Sequence, residues 1–271
     1  MNILEKIVEH KKCEIEKRRT LISEDMLLNS RHYGLPCRSL KASLRTRKPG
    51  IIAEFKRKSP SKGWIHQSAE VIPIVTKYQA GGVAAVSILT DESFFGGSSD
   101  DLIAARDVLS LPILRKDFII DDYQLLESKA LGADVILLIA ACLTPGEVRH
   151  LAATAKKIGL EVLLEIHCEE EILHICDNVD LVGINNRDLK TFIVNINKSI
   201  SLSEKVSKEK DIISESGINT ASEILLLRTH GFTGFLLGEK FMKSPDPGTE
   251  CKILINEILG HENQSMRNNE T

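Results

Sequence analysis

The sequence predicts an α/β protein, a (β/α)8 (TIM) barrel behind an N-terminal helical extension, on three observations. Short apolar runs rich in β-branched residues recur eight times from Ile51 onward. Longer stretches of helical periodicity separate them. Eight such repeats over about 210 residues match the size of a closed barrel. An open doubly wound sheet is the alternative, but it usually has fewer strands and lacks this near-regular spacing.

The elements follow in chain order. Residues 2–19 form an amphipathic helix, with Ile3/Ile7 and Leu4/Val8 four apart on one face. Ser23 caps a second helix that begins at Glu24-Asp25. Residues 34–50, rich in Pro, Gly, Ser and basic side chains, read as an extended connection. Strands are expected over 51–56, 83–89, 112–116, 134–140, 161–166, 180–185, 211–215 and 234–238, each followed by a helical stretch, as over 100–109, 122–131, 144–158 and 220–228. Gly82, Gly132, Gly159 and Gly231 fall where helix C-cap glycines belong. The organisation is an extension over 1–50, a barrel over 51–260 and, from its Asn and Glu content, a disordered tail over 261–271.

Bulk properties narrow the function. A net charge of −3 gives no electrostatic case for nucleic acid. Six scattered cysteines without a C-x-x-C pair argue for free thiols in a reducing compartment, not for a disulfide framework or a zinc site. No window approaches the roughly 18–20 apolar residues of a membrane span, and no signal-peptide core is present. A cytoplasmic protein without a membrane partner is expected. The sequence leaves oligomeric state open between a monomer and a dimer, and the length predicts a monofunctional chain.

In a barrel of this kind, polar residues at strand C-termini face the site. The first strand shows the pattern: Glu54 and Lys56 share one face with Ile52, while Ile51, Ala53 and Phe55 form an apolar opposite face. A solvated edge strand is the bland alternative. Other strand ends supply Lys116-Asp117, Glu165, Asn185 and Glu215-Ser216. Desolvation and neighbouring positive charge should depress the pKa of the lysines and fit them for acid–base work. After the last two strands, Ser216-Gly217 and Gly238-Glu239 lead into helical segments, the recurrent phosphate site of such barrels. Ser59 could add a hydroxyl donor. His66, His150, His174 and His230 form no triad or metal pair. The Phe94-Phe95 loop reads either as a wall for an aromatic ligand or as buried packing.

Six motifs also carry a family resemblance. They are Ala53-Glu-Phe-Lys-Arg-Lys-Ser-Pro-Ser-Lys-Gly63, Ser87-Ile-Leu-Thr-Asp-Glu-Ser-Phe-Phe-Gly-Gly-Ser98, Pro112-Ile-Leu-Arg-Lys-Asp-Phe118, Gly183-Ile-Asn-Asn-Arg-Asp-Leu189, Ser214-Glu-Ser-Gly217 and Leu237-Gly-Glu239. Over about residues 2–259 the chain resembles the indole-3-glycerol phosphate synthases of tryptophan biosynthesis. The resemblance implies a lyase that cyclises, decarboxylates and dehydrates 1-(2-carboxyphenylamino)-1-deoxyribulose 5-phosphate, with no cofactor and no metal. It implies Lys116 as general acid and Glu165 in proton transfer during dehydration. Lys56 would pair the substrate carboxylate and share the acid role. Glu54 would orient the lysines, and Asn185 would hydrogen-bond the reacting groups. Ser59, Gly217, Gly238 and Glu239 would hold the phosphate, with Glu215 and Ser216 at the same strand end. Phe95, Phe118, Arg187 and Leu189 would line the aromatic pocket. No catalytic position departs from the family's motifs, though Gly97, Ile193 and Asn195 stand where other residues are usual. Three rivals remain: another phosphate-binding barrel such as phosphoribosylanthranilate isomerase, a Schiff-base aldolase acting through Lys116, and a non-catalytic phosphosugar-binding protein.

Overall fold

The computed structural model describes residues 3–188 and 193–269. Eight parallel strands close into one barrel in chain order. They are β1 (Ile51–Phe55), β2 (Ala85–Leu89), β3 (Ile113–Lys116), β4 (Val135–Ile139), β5 (Glu161–Ile166), β6 (Leu181–Asn185), β7 (Asp211–Glu215) and β8 (Phe232–Leu237). The seam closes where β1 pairs with β8, Ile52 opposite Leu236, and with β2, Ile52 opposite Ala85.

The alternation read from β1 holds throughout the barrel. Ile52 joins Leu114, Leu137, Leu163, Leu181, Ile213 and Leu236 in an inner core. Ile51, Ala53 and Phe55 join a larger outer core between strands and helices. Parallel strands buried on both faces need such continuous apolar runs.

The helices around the sheet are α4 (Val71–Ala80), α6 (Ser99–Val108), α7 (Asp122–Leu131), α8 (Pro145–Lys157), α9 (Ile196–Ser203), α10 (Ala221–Thr229) and α12 (Pro247–Asn269); α5 (Glu92–Phe95) and α11 (Glu239–Met242) are single turns. Several begin as the sequence dictates. Thr144 caps α8 and Thr220 caps α10, each in a reciprocal capping box with a glutamate three residues on. After β5, by contrast, the connection is a 3-10 turn, Glu169–His174. No described helix is long and apolar enough to cross a membrane.

Two expectations need correction. Before the barrel come α1 (Ile3–Leu21), α2 (Glu24–Leu28) and also α3 (Leu40–Thr46), inside the segment expected to be extended. The Pro and Gly residues only flank α3, and Ser39 caps it. Its Leu40 and Leu44 enter the inner core. Glu161, at the start of β5, accepts the backbone N–H of Leu40 at 2.7 Å, and Ser43 donates to the Ala84 carbonyl ahead of β2. Thus α3 plugs the N-terminal floor of the barrel. Second, α12 runs past His261 to Asn269, where composition predicts disorder. At the start of this stretch Glu262 pairs with Arg228 on α10.

Leu44 has no solvent exposure, so Leu44→Ala should cost about 2–5 kcal/mol of unfolding free energy through lost burial and the cavity left. Denaturant titration checks this; a loss below about 1 kcal/mol would mean that the floor closes without α3.

Candidate active site

At the C-terminal end of the strands lies a cavity of about 550 Å³. Glu54, Lys56, Ser59, Phe95, Lys116, Phe118, Glu165, Asn185, Arg187, Glu215, Ser216, Gly217, Gly238 and Glu239 all line it. Leu189, also expected there, lies outside the described residues.

The charged centre is compact. Lys116 Nζ donates to Glu165 Oε2 at 3.0 Å and also to Glu215 Oε2. Lys56 Nζ pairs with Glu54 Oε1 at 2.6 Å. Asn185 Nδ2 donates to Glu165 Oε1 at 3.1 Å. Alternate residues near the ends of β1, β3, β5, β6 and β7 put these groups inside the barrel. Two glycines make room for them. A Cβ on Gly183 would lie 2.1 Å from Glu215 Oε1, and one on Gly238 would lie 2.5 Å from Glu54 Oε1.

The expected depression of the lysine pKa does not occur at Lys116. Burial lowers its pKa, but Glu165, Glu215 and Glu54 together outweigh burial and raise it above the ordinary lysine range. Positive neighbours were the wrong expectation, since the nearest charges are carboxylates from distant strands. Glu165 responds oppositely. Burial would raise its pKa, yet Lys116 and His167 hold it well below the usual carboxylate range. Glu215 shares Lys116 with Glu165. Burial, aided by repulsion from Glu165, pushes it up to about 7 despite the lysine.

Towards β7 and β8 the walls change character. Ser216 has φ 68° and Gly217 φ 72°, so two successive left-handed residues make the turn after β7. A non-glycine residue in that region is uncommon. Asn186 holds the turn, its Nδ2 donating to the Ser216 carbonyl at 2.7 Å. Ser59 sits in an unforeseen two-stranded hairpin, Lys58–Ser59 with Gly63–Trp64, and its buried Oγ has no partner among the described residues. Arg187 reaches Glu239 at 3.5 Å. Phe95 and Phe118 stand at the opposite side as a tilted pair with centroids 6.0 Å apart. Of the two readings of the Phe94-Phe95 loop, Phe95 is cavity wall, whereas Phe94 meets His10 edge-on.

Two contributions escape sequence reasoning. Ile3, Leu4 and Ile7 of α1 also line the cavity, so the extension roofs it. Lys11, buried further along α1, pairs with Asp91 at 3.0 Å and Asp117 at 2.9 Å. Asp91 in turn accepts the N–H of Phe94 at 2.8 Å, and Asp117 follows Lys116 directly. The other is His167, whose Nε2 lies 3.1 Å from Glu165 Oε1. The E-x-H spacing on β5 was the available signal for it.

Glu215 yields a pH-dependent prediction. Its folded pKa lies above the ordinary value of about 4.5. The resulting stabilisation is complete below about pH 4.5 and is lost as pH rises through about 7. Glu215→Gln removes that loss. The variant should match the parent near pH 4.5 and exceed it at pH 8 by up to about 3 kcal/mol in chemical unfolding. An equal difference at both pH values would contradict this.

Comparisons with known proteins place the chain in a family. The family model described as indole-3-glycerol phosphate synthase matches residues 4–254. The indole-3-glycerol phosphate synthase of Bacteroides thetaiotaomicron is 48% identical over 257 residues, covering 95% of this chain and 99% of the relative. That of Acidithiobacillus ferrooxidans is 40% identical over 259 residues, covering 94% and 98%. Among solved structures, 3-hexulose-6-phosphate synthase from Salmonella typhimurium superposes with a TM-score of 0.62 at 14% identity, covering 78% of this chain and 99% of that one. The tryptophan synthase alpha subunit of Legionella pneumophila does so with a TM-score of 0.57 at 14% identity, covering 81% and 96%. These two likenesses speak to the barrel fold alone. On the family match and the identity to its relatives, the chain belongs to the indole-3-glycerol phosphate synthase family.

Proposed function

We propose that the chain converts 1-(2-carboxyphenylamino)-1-deoxyribulose 5-phosphate to indole-3-glycerol phosphate, releasing carbon dioxide and water. One observation carries the assignment of roles: Lys116 Nζ, held between Glu165 and Glu215, opens into the same cavity as Lys56, the Phe95–Phe118 pair and the Ser59/Gly217/Gly238 end.

The aromatic ring of the substrate lies against Phe95 and Phe118, whereas Arg187, expected beside them, reaches Glu239 at the other end of the cavity. The phosphate takes the far end, at Ser59, Gly217, Gly238 and the N–H of Glu239, where the unpaired Ser59 hydroxyl supplies a donor. Glu215 and Ser216 belong to the same strand end. Holding both ends places the ketone carbon beside the carboxyl-bearing ring carbon, an entropic advantage for ring closure.

Lys56 pairs the substrate carboxylate and shares the acid role with Lys116. As the carbon–carbon bond forms, Lys116 delivers a proton to the ketone oxygen. The carboxylate then leaves as carbon dioxide, and the hydroxyl takes a second proton from Lys56 and leaves as water. Glu165 takes the proton released when the ring becomes aromatic. Asn185 hydrogen-bonds the reacting groups, while Glu54 orients Lys56 and stabilises the cationic intermediate. A lysine kept as ammonium by three carboxylates lacks the lone pair for a Schiff base. It holds its proton more tightly than a free lysine, so it gives the proton up only as the ketone oxygen becomes a strongly basic alkoxide.

Purified protein should therefore turn the substrate into a fluorescent indole product. Lys116→Ala should lower kcat by about 10²–10⁴-fold with the far-ultraviolet dichroism retained. A folded variant with near-parental kcat would remove Lys116 from its role. No turnover by the parent would reject the reaction.

A further inference from the structure

His167 stands just beyond β5, two residues past Glu165, and is only partly accessible. It is gripped on both sides. Nε2 meets Glu165 Oε1 at 3.1 Å, and Nδ1 meets Glu171 Oε2 at 3.3 Å. The same Glu171 oxygen accepts the His167 backbone N–H at 2.6 Å, fixing the ring's approach. Glu165 thus divides its oxygens: Oε2 accepts from Lys116, and Oε1 accepts from Asn185 and lies within ion-pair distance of His167.

Glu54, Glu165 and Glu215 meet two lysines, Lys56 and Lys116, and Glu171 adds a fourth carboxylate on the far side of His167. A protonated His167 places a third cation between two of these carboxylates, Glu165 and Glu171. Its surroundings favour the imidazolium: burial lowers its pKa, but the hydrogen bonds and charges of Glu165 and Glu171 raise it to about 9. Two thiols also stand nearby: Cys142 is pushed up to about 12 by burial and by those same glutamates, and Cys168 is raised by burial, Glu170 and Glu171, so both stay neutral near pH 7.

We propose that His167, clamped by Glu171, is a positioning residue that turns the Glu165 carboxylate towards Lys116 and sets the pH at which Glu165 exchanges its proton. The inference rests on the reading of Glu165 as a proton-transfer group. Removing the imidazolium removes a positive charge from beside Glu165, so that carboxylate binds its proton more readily. The acidic limb of the rate profile, which needs ionised Glu165, must then move to higher pH.

His167→Gln should lower kcat about tenfold at pH 7, leave KM within about twofold, and move the acidic limb of kcat up by about one pH unit. A limb and kcat both unmoved would overturn the proposal. Should that variant fail to fold, Glu171→Gln reads the same device from outside the cavity. His167 then loses one anion, so its titration, followed by NMR, should fall by about one unit, and the alkaline limb of kcat should fall with it. A shifted His167 titration with an unmoved alkaline limb would also overturn the proposal. Glu165→Gln, assayed in parallel, separates the two claims. If it retains turnover, the Glu165 reading fails and this inference with it. If it is inactive while His167→Gln is unaltered, only the role of His167 fails.

Discussion

The site is organised by one amine held among carboxylates. Lys116 projects into a barrel mouth where desolvating an ion costs several kcal/mol unless partners compensate. Glu165 and Glu215 both accept from it, and Glu54 adds a third negative charge. Two carboxylates that share one ammonium cannot both be satisfied. Hence Glu165 is held ionised while Glu215 is pushed up to about 7. Such tension is stability forgone at a functional site. It also leaves two carboxylates with different proton affinities beside one ammonium.

Much of the surrounding fold can be understood as keeping that cluster in place. The barrel supplies one charged residue from each of several strand ends, and Gly183 and Gly238 leave the space that Glu215 and Glu54 occupy. At the opposite end, α3 fills the floor with Leu40 and Leu44. Above the site, α1 provides apolar lining and inserts Lys11 between Asp91 and Asp117. Arg115 meets Asp117 and Glu127 from below, so a continuous charge network links the roof to the strand that bears Lys116.

The repeat and the strand faces were legible in the sequence because they depend on local periodicity. Glu54, Lys56 and Ile52 share a face wherever the strand is placed, and a C-terminal charge on successive strands points to one rim. The turn after β7 and the short helix after β8 were likewise readable from Ser216-Gly217 and Gly238-Glu239. Features that depend on distant partners were not. The sign of the Lys116 shift is set by Glu165 and Glu215, 49 and 99 residues away. Lys11 reads as one basic residue on a charged helix until Asp91 and Asp117 are folded against it. The helix α3 was hidden by flanking Pro and Gly residues, and the end of α12 by its polar composition. His167 lay within reach of sequence reasoning, since it shares the β5 spacing with Glu165.

Barrels of closely similar shape in 3-hexulose-6-phosphate synthase and the tryptophan synthase alpha subunit share only about one residue in seven with this chain. Fold therefore does not specify chemistry here; the rim residues do. This rim is built around an ammonium maintained by surrounding carboxylates. Titration of Lys116 Nζ in the free protein by nitrogen-detected NMR tests that most directly. It should remain protonated beyond about pH 10.4, where unperturbed lysines lose their proton. Deprotonation of Lys116 near pH 8 would contradict the account, because the neighbouring carboxylates would then not be holding its charge.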